Sequence, residues 1–311
     1  MACKRLYLKD DFPQLSNEGT NPRVDVYLPA PLEEMGREGQ KRPVPVICPG
    51  GAYRFCSRRE AEPIALHFLT DGYCVLVLSY SVAPQRFPRQ LQEVAGVLEL
   101  ICQNAEQWHC DTEKIALMGF SAGGHLAAHY ANAYDIPQVR WAFPHSKGVQ
   151  ASLLCYPVIS SREDLRHGES FRNLTGTEEC TRWEQVSCEK LVTGKTPPTF
   201  LWHTAKDNAV PVANTLVYGQ ALAEHGVPFE MHIFPEGAHG LATADGVTNG
   251  SIPAGVGKNA LWLPLAKEWF KGIFGNQTRE NSYFSNFRVS PMSAPKGKRA
   301  RATSDSTPVS V

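Results

Sequence analysis

The chain has 311 residues, with 31 Lys and Arg set against 31 Asp and Glu, so its formal charge at neutral pH is zero. Hydrophobic residues make up 42% and charged residues 20%, the balance of a globular protein, and a chain of this length can bury about 75% of its unfolded surface without disulfides or metals. With no global basic field to hold nucleic acid or an anionic membrane, the composition argues against binders of long polyanions.

After a short polar N-terminal segment, apolar runs predict strands over Val24–Leu28, Val44–Cys48, Cys74–Tyr80, Lys114–Gly119, Val149–Val158, Thr199–Thr204 and Pro228–Phe234. Bare runs such as Val75-Leu76-Val77-Leu78 suit strands covered on both faces. Helical patterns lie between them over Arg59–Thr70, Pro88–Trp108, Ala122–Tyr134, Val212–His225 and Lys258–Phe274. Alternation at this spacing predicts an α/β fold, a doubly wound and mostly parallel sheet whose right-handed crossovers put helices on both faces.

Two stretches break the rhythm. Residues 160–198 are polar and irregular, with Phe171 and Trp183 among charges, and read as a small cap-like insertion after the fifth core strand. Residues 276–311 are rich in Ser, Pro, Asn and Arg and hold too few aliphatics to join the core, so one folded unit is expected over residues 1–275. Within that disordered tail, Lys296, Lys298, Arg299 and Arg301 form a basic cluster read as a solvated face.

Nine cysteines with no CxxC pair predict neither a disulfide framework nor a zinc site. Cys48, Cys74 and Cys155 lie in apolar runs, where a thiol acts as a small hydrophobe. Met1-Ala2-Cys3-Lys4-Arg5 leads to Lys9-Asp10-Asp11 without an apolar stretch, so no secretory leader and a cytoplasmic location are expected. No run approaches the about 18 apolar residues of a membrane span. Without a P-loop, a GxGxxG after the first strand or an HExxH, neither a nucleotide nor a metal cofactor is expected.

The most specific signal is Gly119-Phe120-Ser121-Ala122-Gly123, between a predicted strand and a predicted helix. A serine on such a sharp turn has strained backbone angles and an exposed hydroxyl. Gly119 and Gly123 lack Cβ atoms, so strand and helix can approach closely. The Ala122 N–H then sits at a helix N-terminus, where the dipole favours developing negative charge.

A serine hydroxyl needs a base, and the base an orienting carboxylate, in chain order Ser, then Asp or Glu, then His. Asp207, in the loop after Thr199–Thr204, takes the second place, and His239, just past Pro228–Phe234, takes the third. All three follow strand C-terminal ends, where open α/β sheets place their sites. Among the ten histidines, His67, His125, His129, His203 and His225 lie within predicted helices or strands and read as packing residues. His109 with Cys110 and Asp111 lacks a second ligand cluster and reads as a turn. The turn Pro49-Gly50-Gly51-Ala52-Tyr53 can curl backbone N–H groups toward Ser121 as a second donor for a tetrahedral intermediate. Tyr53, Tyr156 and Trp183, with Phe87 and Trp202, are aromatics that suit a substrate pocket and a core alike.

Over Val24 to Phe274 the sequence resembles small α/β-hydrolases related to acetylxylan and feruloyl esterases, near the hormone-sensitive-lipase-like group. The resemblance rests on the Pro49–Tyr53 turn, on Ser57-Arg58-Arg59-Glu60-Ala61-Glu62-Pro63-Ile64-Ala65, on Ser79–Pro84, on Lys114–Ala127, on Thr196–Phe200, on Asp207 before Val210-Pro211, and on His232–Phe234 leading to His239-Gly240. It implies Ser121 as nucleophile, His239 as base, Asp207 as orienter, and Gly51, Ala52 and Ala122 as oxyanion donors. The lipase-like relatives have His and three Gly in the turn, where this chain has Pro49 and Ala52, and alanine keeps an N–H but adds a Cβ. The implied activity is hydrolysis of short acyl esters, acetyl first, on a small-molecule ester or an acetylated xylan fragment. The alternative is an amide substrate, as in arylformamidase or aminoacyl-peptidase relatives, the latter disfavoured by the short segment before Val24. A homo-oligomer is compatible with the sequence, and so is a silent binding module, although such modules usually lose the serine or the histidine.

Overall fold

The computed structural model describes residues 2–16, 20–31, 33–36, 39–251 and 256–275. Its strands are β1 (Ala2–Tyr7), β2 (Arg23–Leu28), β3 (Arg42–Cys48), β4 (Val75–Ser79), β5 (Cys110–Phe120), β6 (Ala151–Cys155), β7 (Thr199–Thr204) and β8 (Phe229–Phe234). They form one sheet in the order β1-β2-β4-β3-β5-β6-β7-β8. The pairs β1/β2 and β2/β4 are antiparallel and the rest parallel, the doubly wound arrangement that the alternation predicts.

One face is covered by the helices Arg89–Gln103, Ala122–Ala133 and Ala213–Glu224, which bury Val94, Leu126 and Leu222 against Val46, Leu76 and Leu117. Glu62–Leu69 and Trp262–Phe274 cover the other, where the Trp262 ring stacks on Trp202 of β7 at 5.2 Å. Burial on both faces explains why these strands read as continuous apolar runs.

β1 is a strand that hydrophobic patterning missed. Most of its residues are exposed, and Arg5 pairs with Asp25 of β2 at 2.7 Å, so it is a charged edge strand with no apolar period to read. β5 begins at Cys110, within the stretch expected to be a turn, because Arg42 of β3 pairs with it across a register shift. Residues 160–198 follow β6, the sixth strand once β1 is counted, and hold the short helices Gly168–Thr175 and Cys180–Glu184. Asn214 fastens the start of this segment: its Oδ1 accepts from the N–H groups of Ile159 and Ser160, both at 2.9 Å, and its Nδ2 donates to the Leu165 carbonyl at 2.8 Å. Among the described residues no helix is long and apolar enough to cross a membrane. The basic cluster Lys296–Arg301 lies outside the described residues.

The expected close approach around residues 119–123 is present. A Cβ on Gly123 would run into the Cys48 carbonyl oxygen, and one on Gly119 into the carbonyl of Gly123, whereas one on Gly257 would meet nothing within 4 Å. Gly123→Ala is therefore expected to cost about 1–3 kcal/mol by overpacking, read as a lower thermal midpoint, while Gly257→Ala leaves the midpoint at the wild-type value.

Candidate active site

The chain passes from β5 to the helix Ala122–Ala133 through one residue, Ser121, whose φ of 52° and ψ of −117° are costly for a side chain with a Cβ. Three backbone hydrogen bonds hold it there. Its N–H donates to the Cys155 carbonyl of β6 at 3.0 Å, and its carbonyl accepts from His125 and Val158, both at 3.1 Å.

His239 follows β8 in a loop fixed at Gly237, whose φ is 132° and whose carbonyl accepts from Thr204 Oγ1 at 2.8 Å. Asn259 Nδ2 donates to the Glu236 carbonyl of the same loop at 2.7 Å. The imidazole reaches both partners: Nε2 lies 2.7 Å from Ser121 Oγ, and Nδ1 lies 2.7 Å from Asp207 Oδ2. An ionised carboxylate can only accept, so Nδ1 carries the hydrogen and Nε2 is left to accept from the serine hydroxyl.

Asp207 follows β7, with its side chain 1% exposed. Burial pushes its carboxyl up, but donors from His203 and His239, the His239 charge and the Val210 N–H together hold it well below the usual carboxylate range. Oδ1 accepts from the N–H groups of Ala209 at 2.9 Å and Val210 at 2.8 Å. Oδ2 is shared between His239 and His203, whose Nε2 lies 3.1 Å away. His203, expected to be a packing residue, is fully buried but bonds directly to the orienting carboxylate. Its place four residues before Asp207, at the end of the same strand, is the only trace of this in the sequence.

The turn after β3 is wound tightly. Gly51 has φ 127°, and Ala52 and Tyr53 have φ 54° and 55°. Its carbonyl accepts from both Arg54 at 2.9 Å and Phe55 at 3.2 Å, and a Cβ on Gly51 would collide with the Phe55 carbonyl. Ala52 thus accepts a left-handed backbone despite its Cβ, with its carbonyl held by Asn173 Nδ2 of the 160–198 segment at 2.8 Å. The N–H groups of Gly51, Ala52 and Ala122 donate to no group among the described residues.

Ser121 and His239 open onto a cleft of about 230 Å³, walled by Arg54 and Phe55 of the turn, by Arg59 and Glu60, and by His167 and Glu169 of the 160–198 segment. Arg54 Nη1 faces Glu169 Oε1 at 3.3 Å across this opening. Arg59 Nη1 donates to the Thr248 carbonyl at 3.3 Å and to Asn249 Oδ1 at 3.2 Å. Burial, then the nearby His239 charge, lowers the pKa of His167.

The aromatics that suited a pocket and a core alike are not among the residues lining this cleft. Tyr53 is buried, with its hydroxyl 2.8 Å from His125 Nδ1; Tyr156 is buried and donates to Glu60 Oε1 at 2.7 Å; Trp183 stacks on Phe171 and donates to the Thr177 carbonyl at 2.8 Å. Each finds a partner for its polar tip inside the protein, so each packs as core. Phe87 stacks on His129 and Trp202 on Trp262. Among the described residues no group of three or more His, Cys, Asp or Glu is placed to hold a metal ion.

Comparison with known proteins places the chain in a family. BD-FAE matches residues 24–151, and the prolyl oligopeptidase family matches residues 91–248, about half of the chain. The solved acetyl ester-xyloside bifunctional hydrolase of Caldicellulosiruptor lactoaceticus is similar over 87% of this chain and 96% of that one, with 31% identity and a TM-score of 0.73. The chain belongs to the α/β-hydrolases. Among sequence relatives of this α/β-hydrolase, endo-1,4-beta-xylanase B of Butyrivibrio fibrisolvens is 33% identical over 70% of the chain, and the acetylxylan esterase of Xylanibacter ruminicola 28% identical over 62%. The matched stretches span only 35% and 40% of those two proteins.

The depressed pKa of Asp207 has a stability consequence. A folded-state value below the unfolded one, which is about 3.9, stabilises the fold above that value and is lost as pH falls through the folded one. The thermal midpoint of wild type should exceed that of Asp207→Asn most near neutral pH, and the gap should narrow below about pH 4; scanning fluorimetry over a pH series checks it.

Proposed function

We propose that this α/β-hydrolase is a serine esterase acting on short-chain acyl esters, acetyl above all, through an acyl-enzyme. The observation that carries the reading is the chain of two 2.7 Å contacts from Asp207 through His239 to Ser121 at the floor of a cleft. Ser121 Oγ attacks the ester carbonyl carbon while His239 Nε2 takes the hydroxyl proton. The resulting oxyanion is met by the N–H groups of Gly51, Ala52 and Ala122, each such donor being worth about 2.7–4 kcal/mol in serine hydrolases. Collapse expels the alcohol, which leaves with the proton from His239. Water then attacks the acyl carbon as His239 takes its proton, and the second collapse returns that proton to Ser121 and releases the acid.

The relatives named for acetylxylan and acetyl-xyloside hydrolysis support an acetylated sugar, such as a xylan fragment, as the ester. The cleft supports it too: Arg54, Arg59, His167 and Glu169 line it and offer hydrogen bonds to a hydroxylated alcohol. The match to the prolyl oligopeptidase family favours a second reading, the same groups acting on an amide.

A series of 4-nitrophenyl esters of rising acyl length, set beside aminoacyl anilides and N-formylkynurenine, decides between them. kcat/KM is expected to be highest for acetate and to fall with chain length, and Ser121→Ala to lose activity on the order of 10⁴-fold or more together with fluorophosphonate labelling. Preference for the anilides or for N-formylkynurenine would replace the ester reading by the amide one.

A further inference from the structure

At the cleft, one buried carboxylate takes no part in the reaction. Glu60 lies in the helical turn Arg58–Glu60, is 3% exposed and forms part of the cleft wall. Burying a carboxylate ordinarily requires a cation, yet Glu60 has no ion pair among the described residues. Its two oxygens instead accept from two neutral donors: Oε2 from the Gly50 N–H at 2.8 Å, and Oε1 from the Tyr156 hydroxyl at 2.7 Å.

These donors belong to opposite sides of the site. Gly50 begins the turn that offers the Gly51 and Ala52 N–H groups, and it is pressed against the nucleophile. A Cβ on Gly50 would meet Glu60 Oε2 at 2.7 Å, the Phe120 carbonyl at 2.8 Å and Ser121 Cβ at 2.9 Å. Tyr156 follows β6 with a φ of 38°, and its N–H donates to the Trp202 carbonyl at 2.7 Å. Its hydroxyl oxygen accepts from the N–H of Ala242, three residues past His239, at 2.9 Å. Its ring also meets the His239 imidazole edge-on, with centroids 5.1 Å apart.

We infer that Glu60 is a positioning residue whose carboxylate ties the Gly50 turn to Tyr156, and through Tyr156 to the His239 loop. The oxyanion donors and the base are thereby held in register on either side of Ser121. A carboxylate suits this task because it presents an acceptor to each of two converging donors. Glutamine would present one acceptor and one donor, leaving either Gly50 N–H or the Tyr156 hydroxyl hydrogen without its partner. Loss of register matters because a misplacement of about 1 Å can cost on the order of a hundredfold in rate.

The catalytic consequence rests on the esterase reading, and the tie itself on geometry, so the test has two readouts. On 4-nitrophenyl acetate, Tyr156→Phe and Glu60→Gln are each expected to lower kcat by about 10- to 100-fold with KM little changed, and to lower the thermal midpoint because each leaves a buried polar group without its partner. The double variant should be no worse than the poorer single one, because both changes cut the same tie. Losses that multiply in the double variant, losses confined to KM, or kcat unchanged in both single variants would overturn the inference. Should wild type cleave no acetyl ester, the esterase reading alone fails, and proton NMR of the intact chain decides the tie. The downfield His239 Nδ1–H resonance is then expected to shift or broaden in Tyr156→Phe, and an unmoved line overturns the inference.

Discussion

Placing a serine where its hydroxyl can be reached from outside the sheet requires a backbone that a serine would not choose. At Ser121 the strand β5 must reverse into a helix within one residue, and the positive φ this demands costs on the order of 1–3 kcal/mol. That cost is met by the surroundings. The missing side chains at Gly119 and Gly123 let the helix settle against β3 and β5, and Cys155, His125 and Val158 take up the backbone groups of the turn. The position of the hydroxyl, the unspent Ala122 N–H and the reach of His239 all follow from this tight crossing.

Around that point the site is assembled by side chains that satisfy one another. Asp207 accepts from two backbone N–H groups and two imidazoles, a density of donors that outweighs the penalty of burying its charge. The His239 loop is held by Thr204 and Asn259. On the other side, Gly51, Ala52 and Tyr53 adopt left-handed angles in succession, which turns the Tyr53 ring into the core and leaves Phe55 about half exposed at the cleft. Strained backbone and shared acceptors thus concentrate within one small region of an otherwise regular α/β sheet.

Much of this was readable before any coordinates. Ser121, Asp207 and His239 each follow a strand, and the Gly119–Gly123 motif together with their order along the chain marked them as candidates. The central strands were legible because burial on both faces makes them uniformly apolar. β1 was not, because an edge strand carrying Lys4 and Arg5 has no hydrophobic period. The aromatics stayed undecided for a related reason: Tyr53, Tyr156 and Trp183 combine a large apolar ring with a polar tip, and only the partner of that tip separates a core position from a pocket. His203 and Glu60 were invisible as site residues because what they bond to is set by tertiary packing, and the partners of Glu60, Gly50 and Tyr156, come from other elements of the chain.

The ion pair between Arg54 and Glu169 sits at the mouth of the cleft, with one partner on the turn after β3 and the other on the 160–198 segment. Both side chains are well exposed, at 66% and 39%, and such pairs contribute no more than about 1 kcal/mol in water. A hydroxylated guest that bonds to either partner can therefore separate them at little cost, and dissolved salt loosens them further. A weak ion pair is thus one polar link between the two segments that border this opening.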